Sequence, residues 1–152
     1  MILRPLAPTD LDRICDHRER MFHEAGRDQA QLAEMTASFR IWLEPRLEDG
    51  RYFGWMAEQD GQSVGGIGLM VIDWPPHPSH PSDDRRGYVL NVYVEPEWRG
   101  QGIAKRLMAA AEDAFTQRGI GYAFLHATET GRPLYERAGW VGSTHSPRAT
   151  YR

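Results

Sequence analysis

The chain has 152 residues, 41% of them apolar, which suits one compact domain, residues 1–152, with a single core. A formal net charge of −3 does not supply the broad basic face of a nonspecific nucleic-acid binder, so no nucleic-acid partner is expected. No segment approaches the roughly 20 apolar residues of a membrane span, and MILRPLAPTD meets a proline and an aspartate before any run of signal-peptide length, so the expectation is a soluble, cytoplasmic protein without a membrane partner.

Ile2 to Leu6 reads as a strand, and Thr9 with Asp12 as a capping-box-like start to a helix reaching about Glu24. Its stripe carries Leu11, Ile14, Cys15, Arg18 and Phe22; Cys15 is the single cysteine and reads as a packed thiol. A second helical pattern covers about Gln29 to Leu47, with Leu32, Met35, Phe39, Trp42 and Leu43 at helical spacing and Pro45 implying a break or kink near its end. Arg51 to Glu58 and Ser63 to Asp73 read as strands joined by the turn dipeptide Asp60-Gly61, hence an antiparallel hairpin. Gly65, Gly66 and Gly68 soften the second strand, mark a bulge, or let a ligand pass close to the backbone; the sequence leaves these open.

Residues 75–85 carry four prolines and form a loop. His77 and His80 have a spacing that invites a metal, but no cysteine and no third well-spaced ligand accompanies them, so no metal is expected. Gly87 to Val94 alternates, with Leu90, Val92 and Val94 on one face and Asn91 and Tyr93 on the other. Ile103, Leu107, Ala111, Ala114 and Phe115 share one helical face, with Gly119 as the C-terminal cap. Tyr122 to Ala127 follows as a strand, and a strand-helix-strand run of this length implies a parallel pair with a right-handed crossover, so the sheet is expected to be mixed. Pro133 opens a short helix through Arg137, Gly139 stops it, and a last strand is expected near Trp140; residues 141–152 are polar and weakly patterned.

The run Val89 to Ala104, VLNVYVEPEWRGQGIA, carries the chemistry. An alternating strand passes through a short turn into a glycine-punctuated helix start, where the first backbone N–H groups lack intrahelical partners and the peptide dipoles add partial positive charge. Gly100 and Gly102 permit unusual dihedrals and close approach of a diphosphate to the main chain, while Arg99, Lys105 and Arg106 add charge nearby. The segment lacks the Gly-Lys-Ser/Thr ending of a P-loop and the Gly-x-Gly-x-x-Gly spacing of a dinucleotide site, which weakens both nucleotide readings.

Arg99, Gly100, Gln101, Gly102, Ile103 and Ala104 resemble the Arg/Gln-x-x-Gly-x-Gly/Ala coenzyme A loop of the GNAT superfamily of N-acetyltransferases. The downstream Gly131-Arg132-Pro133-Leu134-Tyr135-Glu136-Arg137-Ala138-Gly139-Trp140 is similar to the same family's Leu-Tyr-Glu segment, in the matching order and separation. The resemblance implies an α/β (α+β) fold with a mixed, mostly antiparallel central sheet, one splayed parallel strand pair and flanking helices. It also implies acetyl-CoA as cosubstrate and direct attack by a primary amine, either a small molecule or a peptide.

By the same resemblance, main-chain groups of Val92, Tyr93 and Val94 contact the pantetheine arm and thioester, and Gly100 to Lys105 hold the diphosphate. Tyr135 becomes the general acid, since a phenol with a reference pKa near 10 stays protonated at neutral pH and can donate to a departing thiolate. His126 is the choice for general base, with Glu129 or an ordered water chain as alternatives. Met21, Phe22, His23, Trp74, His77, His80 and Asp83 are candidate acceptor-lining residues, and a rim with Asp83 and Asp84 suits a cationic amine. The rival reading is a noncatalytic acyl-CoA-binding or sensor module; a homodimer is kept as the candidate assembly.

Overall fold

The computed structural model describes residues 1–127, 131–140, 142–143 and 149–151. In chain order the elements are β1 (Ile2–Pro5), α1 (Leu11–Glu24), α2 (Gln29–Glu48), β2 (Phe53–Gln59), β3 (Gln62–Asp73), β4 (Arg85–Val94), α3 (Ile103–Gln117), β5 (Ala123–Ala127), α4 (Arg132–Arg137), β6 (Gly142–Ser143) and β7 (Ala149–Tyr151). Among the described residues the strands form one sheet in the order β1-β2-β3-β4-β5-β7-β6, with β4 and β5 parallel and every other neighbouring pair antiparallel. The mixed, mostly antiparallel sheet with one parallel pair is therefore present, and β7, which the weak pattern after residue 140 gave no reason to expect, is inserted between β5 and β6.

Local chemistry explains most of these boundaries. Asp60 and Gly61 both have positive φ, 51° and 78°, as a two-residue hairpin of primed type requires. The start of α1 differs from the capping box expected of Thr9 and Asp12. A short 3₁₀ turn covers Pro8–Asp10, and the Asp10 carboxylate accepts the Ala7 N–H at 2.8 Å. Burial opposes that charge, but hydrogen bonds from the Arg4 guanidinium and from Ala7 outweigh it and hold the carboxyl below its usual range. The second helix passes through Pro45 into one more turn ending at Glu48; so near the C-terminus a missing N–H removes a single bond.

Two apolar layers sandwich the sheet. Ile14 and Cys15 of α1 and Phe39, Leu43 and Leu47 of α2 pack with Tyr52 and Met56 on one face. Leu107, Met108, Ala111 and Phe115 of α3, with Tyr135 of α4, pack on the other against Ala57, Val64, Leu69, Val89 and Leu125. Leu43 and Leu107 are fully enclosed, each contributing about 2 kcal/mol on burial. The glycines of β3 that the sequence left ambiguous make room for neighbours: a Cβ on Gly68 would overlap the Tyr52 phenol, and one on Gly65 would lie 2.7 Å from the Tyr93 carbonyl oxygen.

One departure in β4 governs the site. The Gly87 N–H donates to the Tyr122 carbonyl, on the β5 edge, whereas the Glu95 N–H donates to the Val64 carbonyl, on the β3 edge. These residues are an even number of positions apart, so strict alternation would send both N–H groups to one edge. The extra residue lies between the pairs Gly68↔Leu90 and Gly66↔Tyr93, where Ile67 of β3 faces both Asn91 and Val92. Asn91 adopts the left-handed φ of 57° that forms this bulge. In consequence Leu90 does not share a face with Val92 and Val94: it packs with Asn91 and Tyr93 on the α1/α2 side, while Val92 and Val94 pack on the α3 side.

Candidate active site

The parallel pairing of β4 and β5 is short, running only over Gly87–Val89 and Ala123–Leu125. Beyond it β4 continues to Val94 beside β3, whereas β5 turns its free edge to β7 through Leu125, His126 and Ala127. A wedge thus opens beside residues 90–94 of β4. Counting back from Glu95, whose main chain faces β3, alternation puts the N–H and C=O of Val94 and Val92 on the wedge edge and those of Tyr93 on the β3 edge. The Val94 carbonyl accepts the Arg99 Nε–H at 2.9 Å, consistent with that direction.

At the end of the wedge the chain makes one 3₁₀ turn over Pro96–Trp98 and enters α3. Gly100 and Gly102 hold φ of 79° and 80°, a conformation that side chains resist. A Cβ at either position would meet no atom of the described residues within 4 Å, so the ground beside these glycines is open among them. The Arg106 N–H donates to the Gly102 carbonyl as the first bond of α3, leaving the N–H groups of Ile103, Ala104 and Lys105 ahead of the ladder at its positive end. Gln101, Gly102 and Lys105 are exposed, Ala104 is half-buried, and the Ile103 side chain is anchored in the core beneath them. The residues present therefore fit a diphosphate held by main-chain donors.

Arg99, expected to lend charge to the loop, has its guanidinium committed elsewhere. Its Nη2 reaches both Glu24 carboxylate oxygens at 2.9 and 2.8 Å, which ties the loop to the end of α1. A second tie lies one turn back along α1, where Arg20 meets the Glu95 carboxylate at 2.8 Å. Between them the Tyr93 phenol donates to Glu24 at 3.3 Å, and burial, with Glu24 close by, pushes its pKa up to about 12.

Tyr135, on α4, is buried in the α3-side layer, and burial pushes its phenol up to about 12, so it is protonated at neutral pH. His126 is exposed on β5, with ring contacts to Tyr88 at 5.8 Å and Phe124 at 5.9 Å. Its neighbour Leu125 points into the α3-side layer, so His126 lies on the opposite face of the sheet from Tyr135. Glu129 lies outside the described residues. The 75–84 loop is closed by reciprocal backbone bonds between His77 and His80; His77 Nδ1 accepts the Ser79 N–H at 3.0 Å, and His80 meets Tyr122 edge-on with ring centroids 4.5 Å apart. Nearby the Arg86 guanidinium sits between Trp74 and Tyr122, 4.4 and 4.1 Å from the ring centroids.

Sequence reasoning missed a buried polar group beneath the wedge. The Asn91 side chain accepts from Arg18 Nη1 at 2.6 Å and donates to the Tyr52 hydroxyl at 2.9 Å. His17 stacks on Tyr93 at 4.9 Å, and burial, reinforced by the nearby Arg13, drives its pKa down to about 4. Its Nε2 lies 3.8 Å from Glu95, yet the imidazole is neutral at physiological pH, so this contact is not an ion pair. The available signal was Asn91 itself, a residue tolerant of left-handed backbone inside an otherwise apolar strand.

The sequence model of the Acetyltransferase (GNAT) family matches residues 11–140, spanning both the wedge and the glycine turn. The chain belongs to the GNAT acetyltransferase family. Within it, the crystal structure of a GCN5-related N-acetyltransferase from Ralstonia eutropha JMP134 is 57% identical, with a TM-score of 0.93 over 95% of each chain. A predicted acetyltransferase from Clostridium acetobutylicum, solved with acetyl-CoA, is 24% identical with a TM-score of 0.86 over 95% of this chain and 92% of that one, a likeness of fold. An aminoglycoside 2'-N-acetyltransferase from Mycolicibacterium fortuitum is 39% identical over 57 residues, which are 38% of this chain and 29% of that protein. The match thus spans less than a third of that curated relative's length.

Proposed function

We propose that this GNAT protein is an N-acetyltransferase that moves an acetyl group from acetyl-CoA to a primary amine by direct attack. The observation that carries the reading is the conjunction of a splayed β4 edge, with Val92 main-chain groups facing the wedge, and open glycine-turn amides at the start of α3. Acetyl-CoA supplies an activated thioester. The amides of Gly100, Gln101, Gly102, Ile103, Ala104 and Lys105 hold its diphosphate, with the helix dipole and the exposed Lys105 ammonium adding attraction. Val92 and Val94 line the pantetheine arm through their backbone, and the Val92 N–H donates to the thioester oxygen, where negative charge develops, an effect worth several kcal/mol in a dry site. Tyr93 contributes through position: its ring seals the floor against His17.

Tyr135 donates its phenolic proton to the departing thiolate, and its burial keeps that proton in place until the thiolate forms. His126, on the other face of the sheet, takes the proton from the incoming amine, so cofactor and acceptor approach from opposite sides. The acceptor is a small-molecule amine or a peptide terminus, and the match to an aminoglycoside acetyltransferase supports the small-molecule class. Calorimetry with coenzyme A, followed by an acetyl-CoA consumption screen over aminoglycosides, polyamines and peptide N-termini, tests the reading. Binding with turnover supports it, binding with no turnover across the panel favours the noncatalytic module, and no binding removes both. With a proven acceptor, His126→Ala is expected to depress turnover while leaving coenzyme A affinity nearly intact; equal turnover across the pH range removes the base assignment.

A further inference from the structure

We infer that Asn91 is a positioning residue for acyl transfer, its side chain clamped by Arg18 and Tyr52 so that the β4 bulge turns the Val92 N–H into the wedge. The inference rests on the reading of the wedge as the acetyl-CoA site. Without the extra residue, the alternation set by Gly87 at the start of β4 would continue unbroken, giving the wedge edge to Asn91 and Tyr93 and turning Val92 toward β3. The bulge therefore decides which amide faces the thioester.

On the β3 side the bulge is flanked by Gly66 and Gly68, which carry no side chain to key the register across the strand pair. What is specific is the side chain. Asn91 is buried at 6% exposure and sits in the left-handed region, where Asn is tolerated and bulky or branched residues are not. Its carboxamide oxygen takes a charge-assisted bond from Arg18 at 2.6 Å, and its NH₂ donates to the buried Tyr52 hydroxyl at 2.9 Å. Arg18 is itself packed over the Phe22 and Phe39 rings, 5.1 and 4.7 Å from their centroids, contacts it would give up in following a displaced Asn91. Tyr52 is fixed by its fit against Gly68. Sliding the bulge by one residue would break both bonds and leave buried polar groups unmatched, which is what holds the register.

The test follows the Val92 amide in protein labelled with ¹⁵N-valine, the resonance assigned by Val92→Ile, during titration with acetyl-CoA and separately with coenzyme A. In the wild type the Val92 amide is expected to move further with acetyl-CoA than with coenzyme A, since only the former brings an oxygen to it. Tyr52→Phe and Asn91→Ala are expected to lose most of that difference while coenzyme A affinity stays within about threefold, because the diphosphate grip is on α3. Asn91→Asp, which keeps the acceptor for Arg18 and lets the Tyr52 hydroxyl donate where it now accepts, is expected to retain it. A difference that survives in either folded variant overturns the inference, as does a wild type that binds acetyl-CoA with no such difference at Val92. If Asn91→Ala does not fold, Tyr52→Phe decides alone. A wild type that binds no coenzyme A overturns the proposed function along with this inference, whereas intact binding with an unmoved Val92 overturns the inference alone.

Discussion

The turn at Gly100 and Gly102 and the bulge at Asn91 both aim backbone at one cleft, and they do so by opposite means. At the turn, residues without side chains stand in open space, and the geometry is local: two positive φ values, then a helix. At the bulge, the left-handed residue keeps its side chain and is buried, and its geometry depends on partners distant in sequence, Arg18 on α1 and Tyr52 just before β2. The lesson is that a backbone site can be set by what is left out or by what is tied down, and only the first kind leaves a short motif.

Substitutions on each side should separate the two modes. The largest effect is expected from Tyr135→Phe, with kcat for a proven amine acceptor falling about a hundredfold or more and KM for acetyl-CoA little changed; unaltered turnover would remove Tyr135 from the chemistry. Next comes the buried layer under the bulge. His17 folds as a neutral imidazole with its pKa lowered to about 4, so between its unfolded value of 6.5 and that pH the unfolded chain binds more protons than the native one. Its contribution is therefore fully present above pH 6.5 and is lost as the pH falls, by up to about 3 kcal/mol near pH 4. Urea denaturation at pH 7 and 4.5 should show a stability loss that is markedly smaller in His17→Phe; equal losses in both proteins would place the acid sensitivity elsewhere.

Gly102→Val probes the local side. A branched residue at φ 80° is strained by about 1–3 kcal/mol and adds bulk to the open ground beside the helix start, so coenzyme A affinity should fall about tenfold or more by calorimetry. Affinity equal to wild type would take the diphosphate off this turn. The smallest effect is expected at the tether between them: the Arg99 and Glu24 side chains are 45% and 39% exposed, so solvent screens the pair and Glu24→Gln should cost less than about 1 kcal/mol of stability in urea denaturation. A larger loss would show the loop to be held by this pair rather than by the burial of Ile103.

This division also explains what the sequence disclosed. Hairpin turn, glycine loop, α3 face and parallel crossover are written in neighbouring residues, and their boundaries in the structure fall close to the expected ones. The face assignment of Leu90 failed because period-two reading assumes an unbroken strand, and one left-handed residue reverses the phase of everything after it. The capping role passed from Asp12 to Asp10 because Arg4 of β1, six residues earlier, reaches across to fix the earlier carboxylate, a side-chain pairing that the capping-box pattern does not include. Arg99 carries a motif letter, yet its partner Glu24 lies on α1, so the letter alone did not reveal that its charge is already engaged. His126 and Tyr135 were legible as residue types near strand and helix ends, but their separation onto opposite faces emerges only with the sheet.

The most direct measurement is a crystal structure of the protein with acetyl-CoA. Diphosphate oxygens within hydrogen-bond distance of the main-chain amides between Gly100 and Lys105, together with the thioester oxygen on the Val92 N–H, are expected. Acetyl-CoA bound away from the β4 edge, or phosphates gripped by side chains while those amides face solvent, would contradict it.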